Sequence, residues 1–303
     1  MSSTETTLTK PADGTDGTGD SASVGAGLDA LDAVTAHRRP LGEALRSKAL
    51  PPLLGVLVVI ALWQGAYSLH ITSSYKLPSP ADVWRSAQDL WYQGTLLTII
   101  WTSVWRGLSG FLLAVVIGTP IGLVVARVRP VRAAIGPVLQ GLQSLPSVAW
   151  VPAAVIWLGI NDSMMYAVIL LGAVPSVANG LVAGIDQVPP LFLRAGRTLG
   201  ATGLNGARHV LIPAALPGYL AGLKQGWAFS WRSLMAAELV ASSPDLGRGL
   251  GRFLEDSREF SDMSGVLLGI ILILFVGIAI ELLVFTPVER RALRNRGLLA
   301  ASK

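Results

Sequence analysis

The residues best suited to chemistry lie inside one apolar stretch in the C-terminal third of the chain. Residues 212–241 are mostly apolar, yet they include Lys224, Arg232 and Glu238. The planar guanidinium group of arginine can bind an oxyanion through two hydrogen bonds. A charge near the middle of a bilayer costs at least ~2.5–3.5 kcal/mol on insertion scales, so it normally faces a cavity or a partner. The stretch therefore indicates either an anion contact on a pathway or an ion pair between membrane helices.

The sequence leaves both alternatives open. Lys224 and Arg232 lie eight residues apart, which separates them by about 80° around a helix, so both can border one cavity. The structural alternative pairs Arg232 with Glu238, or Lys224 with Glu281. The aromatic members of the set can line a pathway or simply pack against neighbouring helices. The candidate pathway residues are Lys224, Trp227, Trp231, Arg232, Ser233 and Glu238.

Composition argues against an enzyme and for a membrane protein. The chain has 303 residues, of which 51% are hydrophobic and 14% charged, against about 25% charged in ordinary soluble domains. It has no cysteine, three isolated histidines, no GxxxxGK[ST] phosphate loop and no catalytic triad. We therefore expect no metal, no cofactor and no catalytic residues. Gly247-Arg248-Gly249-Leu250-Gly251 is interpreted only as a glycine-rich turn.

Long apolar runs predict an all-α protein with six transmembrane helices, because a bilayer core requires about 20 apolar residues per helix. The predicted spans cover residues 50–69, 102–126, 134–158, 163–185, 212–241 and 263–286. Residues 1–45 are polar and predict a disordered cytoplasmic tail, which leaves 46–303 as the transmembrane domain. Small residues such as Gly118, Gly122, Gly180 and Gly184 favour close packing between helices of the same chain.

Lysine and arginine cluster in alternate loops, and this bias predicts the orientation. The basic groups fall within residues 38–48, 127–132, 194–208 and 290–303. The opposite loops are mixed or acidic, and the first of them, near residues 82–92, is predicted to form an interfacial helix. Both termini are therefore expected in the cytoplasm. The net charge of +5 reflects topology and not binding to nucleic acid.

One predicted cytoplasmic loop, at about residues 189–209, is the most informative segment. Residues 191–199 can form a short amphipathic helix, Gly200 and Gly203 can end it, and residues 204–209 can form a second one. A glycine at position 200 would let the chain reverse, with a positive φ. Such a hairpin suits docking into a groove of a soluble partner, although a segment lying on lipid is the alternative.

This loop resembles the "EAA" coupling loop of permeases in ABC importers, written E-A-A-x3-G-x9-I-x-L-P. The spacing fits, although Arg194 replaces the motif glutamate and Gly196 replaces its second alanine. The coupling residues implied by the resemblance are Arg194, Ala195, Gly196, Arg197, Gly200, Ala201, Val210, Ile212 and Pro213. Further segments resemble the nitrate/sulfonate/taurine permease group: the Pro-rich stretch 77–83, the LPSVAWVP stretch 145–152, and Ala237-Glu238 with the turn to Gly247.

The resemblance implies a type I ABC importer permease in a bacterial plasma membrane. Two permease copies would share one pathway, cytoplasmic ABC ATPases would dock on the coupling loops, and an extracytoplasmic binding protein would deliver the substrate. The expected cargo is an oxyanion, with aliphatic sulfonate first and nitrate, taurine or a thiamine-precursor-like solute as alternatives. A secondary carrier or a membrane scaffold is the alternative from a different class of protein.

Overall fold

The computed structural model describes residues 41–294, except residues 74, 242, 244 and 245. The chain divides into two units, one before Val58 and one from Val58 onward. Of the predicted disordered tail, only residues 41–45 lie within the described range. They are helical, because LGEALRSKAL consists largely of residues with good helix propensity. The functional argument below concerns the second unit.

The described chain is all-α, as the sequence predicts. In its first half, α1 is Leu41–Ser68, α2 is Pro80–Tyr92, α3 is Leu96–Arg127, α4 is Arg129–Ser144, a 3-10 turn is Ser147–Trp150 and α5 is Val151–Leu158. In its second half, α6 is Asp162–Asp186, α7 is Pro190–Thr198, α8 is Gly203–Gly206, a π segment is Ala207–Leu211, α9 is Ile212–Val240, α10 is Leu250–Glu259, α11 is Met263–Ile280, a second π segment is Glu281–Phe285 and α12 is Thr286–Arg294.

The third predicted span, residues 134–158, is broken near Pro146 and is not one straight helix. It forms α4 and the short helical stretch Ser147–Leu158, which are bent by 100° relative to each other. The break follows from Pro146, which lacks an N–H and forces the preceding residue out of the helical region. Leu145 accordingly has extended dihedral angles, with ψ 133°.

Four helical stretches in the described part of the chain are long and apolar enough to cross a membrane, and the bent pair makes a fifth. These are Leu50–Ser68, Leu96–Arg127, Asp162–Asp186 and Met263–Arg294. The remaining predicted span, α9, has 29 residues but contains three charged side chains. A six-span protein remains compatible with the helices, provided that the charges of α9 are covered by other parts of the structure.

The centre of the second unit is α6, which packs between α3 and α9 through facing glycines. A Cβ atom on Gly122 would lie 2.7 Å from the carbonyl oxygen of Ala178 in α6. On the other side of α6, Gly180 meets Gly222 of α9 backbone to backbone, so neither position has room for a side chain. The expectation that these glycines pack helices of the same chain is confirmed.

The predicted interfacial helix is α2, and its start is fixed by a capping box. The Ser79 hydroxyl accepts a hydrogen bond from the Asp82 amide at 3.2 Å, and the Asp82 carboxylate accepts one from the Ser79 amide at 3.1 Å. Hydrogen bonds from the Ser79 hydroxyl and amide lower the pKa of the Asp82 carboxyl below its usual value. Trp84, Trp91 and Tyr92 are exposed on this helix, as is typical of an aromatic belt at a membrane surface.

Candidate functional site

The coupling-loop helix α7 ends in a Schellman motif centred on Gly200. The Ala201 amide donates to the Gly196 carbonyl at 2.8 Å, and the Gly200 amide donates to the Arg197 carbonyl at 3.0 Å. Gly200 has φ +81°, a left-handed conformation that side chains with a Cβ adopt only with strain. The expected chain reversal at this glycine is therefore present in the structure.

The packing around position 196 accounts for the glycine that stands there in place of the second alanine of the motif. Its Cα packs directly against Val210 in the first π segment, and a Cβ at position 196 would lie 2.8 Å from Val210 Cγ2. Leu193, on the same inner side of α7, packs on a small cluster that includes Val188, Leu211 and Ala215. The coupling helix is thus held on the start of α9 by close packing at two points.

The start of α9 is one helical stretch and not two separate ones. The structure runs from α8 through the π segment Ala207–Leu211 into α9 without a break, whereas a second short helix and a separate span were expected. Ile212 and Pro213 occupy the first positions of α9, where the missing N–H of proline costs little. A movement of α7 would therefore act directly on a helix that continues through the predicted membrane span.

The outer face of α7 is apolar and basic. Leu191 is 69% exposed and Phe192 is 52% exposed, and Leu199 beyond the helix end is 87% exposed. Arg194 and Arg197 are exposed beside them. No acidic residue occurs between Asp186 and Glu238, so the loop presents apolar side chains framed by positive charge.

The carboxylate of Glu238 does not pair with Arg232, and that structural alternative was wrong. Glu238 is 1% exposed and binds the Arg106 guanidinium of α3, with 3.4 Å between Nη1 and Oε1. The Ser103 hydroxyl donates to Glu238 Oε2 at 2.7 Å. Arg106 also donates from Nε to Asp162 Oδ1 at 3.1 Å, at the start of α6. One buried cluster thus joins α3 and α9, and the exposed carboxylate of Asp162 links it to the start of α6.

The glycine-rich turn 247–251 belongs to the same cluster, which sequence reasoning missed. Side chains on Gly249 or Gly251 would collide with Glu238. Because both lack a Cβ, the Gly251 amide donates to Glu238 Oε2 at 2.9 Å, and the Leu250 amide donates to Ser103 Oγ at 2.7 Å. These amides lie at the N-terminus of α10, where a carboxylate is stabilised. The turn therefore forms an anion cradle that is occupied by the protein's own carboxylate.

Lys224 is also paired, and here the structural alternative from the sequence is present. Its ammonium lies 2.7 Å from Glu281 Oε1 and 3.2 Å from Glu289 Oε2. Glu281 opens the second π segment and Glu289 lies in α12, so the lysine ties α9 to both. This arrangement gives Lys224 a structural role and makes it a weaker candidate for contact with cargo.

Arg232 differs from the other membrane charges because it makes no ion pair with any described residue. Its Nε donates to the Ala228 carbonyl at 3.0 Å, and its guanidinium carbon lies 4.5 Å from the centre of the Phe229 ring. The side chain is exposed and borders a cavity of about 570 Å³. Its guanidinium group therefore keeps donors available for an anion.

The cavity beside Arg232 contains a second guanidinium group. Arg258 and Glu255 of α10 line it together with apolar side chains from α9 and Val148 from the 3-10 turn. Glu255 is paired with Arg258, whose Nε donates to Glu255 Oε2 at 2.8 Å, and this hydrogen bond lowers the pKa of the Glu255 carboxyl. The cavity thus has one excess positive charge.

The remaining pathway candidates are packed. Trp227 and Trp231 are 3% and 6% exposed, and their rings stack with 5.8 Å between centres. Trp231 also donates from Nε1 to the Ile273 carbonyl at 3.3 Å and borders the Arg232 cavity. The Ser233 hydroxyl is buried and has no hydrogen-bond partner in the described part of the chain. Of the six candidates, the structure brings Trp231 and Arg232 to one cavity.

The arrangement defines a class: an all-α membrane protein with a short amphipathic helix packed on the start of a long one and charged groups held between its long helices. No phosphate loop occurs in the sequence, and among the described residues no group of three or more histidine, cysteine or acidic side chains could hold a metal ion.

Comparison with known proteins identifies the family. Residues 118–292 match the family described as binding-protein-dependent transport system inner membrane component. The chain is 30% identical over 230 residues to the taurine transport system permease protein TauC of Escherichia coli strain K12, which covers 74% of this chain and 82% of TauC. It is 31% identical over 242 residues to the putative aliphatic sulfonates transport permease protein SsuC of Bacillus subtilis strain 168, which covers 78% and 86%.

The fold agrees with this assignment. A solved structure of the MetNI methionine ABC transporter, in inward-facing conformations, superposes with a TM-score of 0.52 at 20% identity and covers 65% of this chain and 95% of that chain. The chain belongs to the binding-protein-dependent transport system inner membrane component family. It is a multi-pass permease subunit of an ABC importer.

Proposed function

We propose that this permease carries an organic oxyanion of the sulfonate class. The observation that carries the proposal is Arg232, an exposed guanidinium group that makes no ion pair with the described residues and borders a cavity with a net positive charge. The names of two relatives support it, because taurine and aliphatic sulfonates both contain a sulfonate group. A planar guanidinium can bind two oxygens of such a group at once.

The ion pairs in the membrane argue against a secondary carrier. A carrier needs buried groups that bind a proton or sodium during each cycle. Glu238 is held by Arg106, Ser103 and a backbone amide, and Glu281 is held by Lys224. Both carboxylates that lie within the spans are thus occupied by donors of the chain itself.

The proposed partners follow from the surfaces of the chain. The apolar and basic outer face of α7 would dock on a cytoplasmic ABC ATPase, and Arg194 and Arg197 would require an acidic groove there. A second copy of the permease would complete the pathway, and an extracytoplasmic binding protein would deliver the solute. Both termini would lie in the cytoplasm, as the arginine-rich loops indicate.

Co-purification and uptake together test this function. Tagged permease, expressed with its neighbouring genes, is expected to retain a chain containing GxxxxGK[ST] through detergent extraction. Cells with this complex should accumulate a radiolabelled alkyl sulfonate, and an excess of unlabelled taurine should compete. A permease that transports without any ATPase would contradict the importer, and uptake that sulfonates do not inhibit would contradict the cargo.

Gly200→Val is expected to weaken docking of the ATPase while the spans stay inserted. A β-branched residue at φ +81° carries strain of ~1–3 kcal/mol, which opens the Schellman motif and displaces the end of α7. The measurement is the amount of ATPase that co-purifies per permease. Thr202→Val is the matched control, since it adds the same side chain two residues later at an exposed position without a positive φ. Equal ATPase recovery in both variants would remove the loop from the docking surface.

A further inference from the structure

A stripe of uncharged polar side chains runs along α4 toward the break in the bent helix pair. Gln140, Gln143 and Ser144 follow the spacing i, i+3, i+4, so they share one face of α4, and Ser147 lies three residues further along the chain, at the start of the 3-10 turn. Residues 133–161 contain no charged side chain. The stripe is therefore polar and neutral over its full length, within a segment that is apolar enough to cross a membrane.

Two polar residues of the neighbouring helix α6, Ser176 and Asn179, are hydrogen-bonded to this stripe. Gln143 donates from Nε2 to Ser176 Oγ at 3.2 Å, and Asn179 donates from Nδ2 to Gln143 Oε1 at 2.9 Å. Each of these amide groups has two N–H donors, so one remains on Gln143 and one on Asn179. Gln143 and Asn179 are half-buried in the single chain, and Gln140 and Ser144 are exposed.

The stripe lies opposite the part of α4 that suits lipid. Val138 is 56% exposed, and at about 100° per residue it lies about 120–160° around α4 from Gln140, Gln143 and Ser144. Amide side chains that faced hydrocarbon would lose hydrogen bonds to water without replacement, which is costly. The polar face therefore requires water, cargo or another protein surface against it.

The stripe ends beside the Arg232 cavity. Ser147 opens the 3-10 turn, and the next residue, Val148, lines that cavity together with Arg232 and Arg258. The last polar residue of the stripe is thus the chain neighbour of a residue that lines the basic cavity. This proximity to a basic cavity favours cargo over a second permease copy as the occupant of the stripe.

We propose that the stripe of Gln140, Gln143, Ser144 and Ser147, with Ser176 and Asn179, is the neutral inner wall of the translocation path for the oxyanion. The inference rests on the proposed function and adds a site to it. The amide and hydroxyl groups of these side chains donate hydrogen bonds to the oxygens of the cargo in place of water. Each of these hydrogen bonds is weak. Because no fixed charge holds the anion, it can leave each position again, which passage through a pore requires.

Labelling of single cysteines tests the location of the stripe, and the chain has no cysteine of its own. Membranes containing the assembled transporter are treated with a membrane-impermeant methanethiosulfonate that bears a sulfonate group, from both sides. Gln140→Cys, Gln143→Cys and Ser144→Cys are expected to react, while Val138→Cys stays unlabelled. Arg85→Cys, which is exposed on α2 and outside the coupling loop, serves as the positive control for reagent access.

A transport assay adds the functional arm. Gln143→Leu is expected to slow sulfonate uptake ~10-fold at unchanged membrane abundance, whereas Val138→Leu changes neither. Unlabelled stripe cysteines that instead cross-link two permease copies would show a subunit contact and overturn the inference. Stripe cysteines that neither label nor cross-link would place the face against lipid and also overturn it.

Labelling needs neither cargo nor ATP hydrolysis, so the two proposals fail separately. If no ATPase co-purifies with the permease, the proposed importer function is refuted, whatever the result of the labelling. If the ATPase co-purifies and sulfonate uptake is present, but the stripe stays unlabelled, only the inner wall is refuted.

Discussion

Arg106→Leu is expected to remove most of the folded permease from the membrane, because it leaves the buried carboxylate of Glu238 without its cation. Breaking one partner of a buried ion pair costs ~3–5 kcal/mol. Arg106 also donates to the Leu246 carbonyl and to Asp162, so the loop before α10 and the start of α6 lose an anchor together. The effect should appear as a large loss of abundance and a lower Tm in detergent.

Two further variants separate this explanation from a general sensitivity to mutation. Glu238→Gln keeps the shape and some hydrogen bonds, so its loss of stability is expected to be smaller than that of Arg106→Leu. Arg85→Gln removes an exposed arginine whose pair with Asp82 is open to water, and such a pair contributes little to stability. If Arg106→Leu were as abundant and as heat-stable as Arg85→Gln, the buried cluster would not hold these helices together.

The sequence predicted the helices and turns of this protein better than the contacts between residues that are distant in the chain. The apolar runs predicted the helices, and a glycine between two amphipathic segments predicted the reversal at Gly200, because both are local properties of the chain. Glu238 and Arg106, which form the buried ion pair, lie 132 residues apart in the sequence. No local sequence pattern predicts this contact. Arg232 lies nearer to Glu238 in the sequence and was therefore the expected ion-pair partner, but the two side chains are not paired in the structure.

The bent helix pair shows a second limit. Hydropathy identifies residues 129–158 as apolar enough to cross a membrane, and Pro146 marks a possible break, but neither specifies the 100° bend. The bend places Val148 beside Arg232, a contact between distant elements that depends on the packing of the whole unit. Likewise, the Gly247–Gly251 turn could be recognised as glycine-rich, while the carboxylate that fills it comes from another helix.

Arg232→Gln is expected to abolish most sulfonate uptake without lowering the amount of permease in the membrane. The side chain makes no ion pair in the described part of the chain, so its loss leaves no buried partner uncompensated. The cavity, however, would lose its excess positive charge, which offsets the cost of removing water from the anion. The measurement is whole-cell uptake of a radiolabelled alkyl sulfonate, normalised to membrane abundance.

Arg232→Lys distinguishes charge from geometry. It keeps the positive charge but replaces the planar fork with a compact ammonium group, so intermediate uptake would indicate two-point binding of the sulfonate. Arg258→Lys is the matched control in the same cavity, because Arg258 is already engaged by Glu255 and should tolerate the change better. Full uptake by Arg232→Gln would exclude a contact with the anion. Loss of abundance in Arg232→Gln, in parallel with Arg106→Leu, would instead make Arg232 a structural residue and leave the stripe on α4 as the part of the path still to be tested.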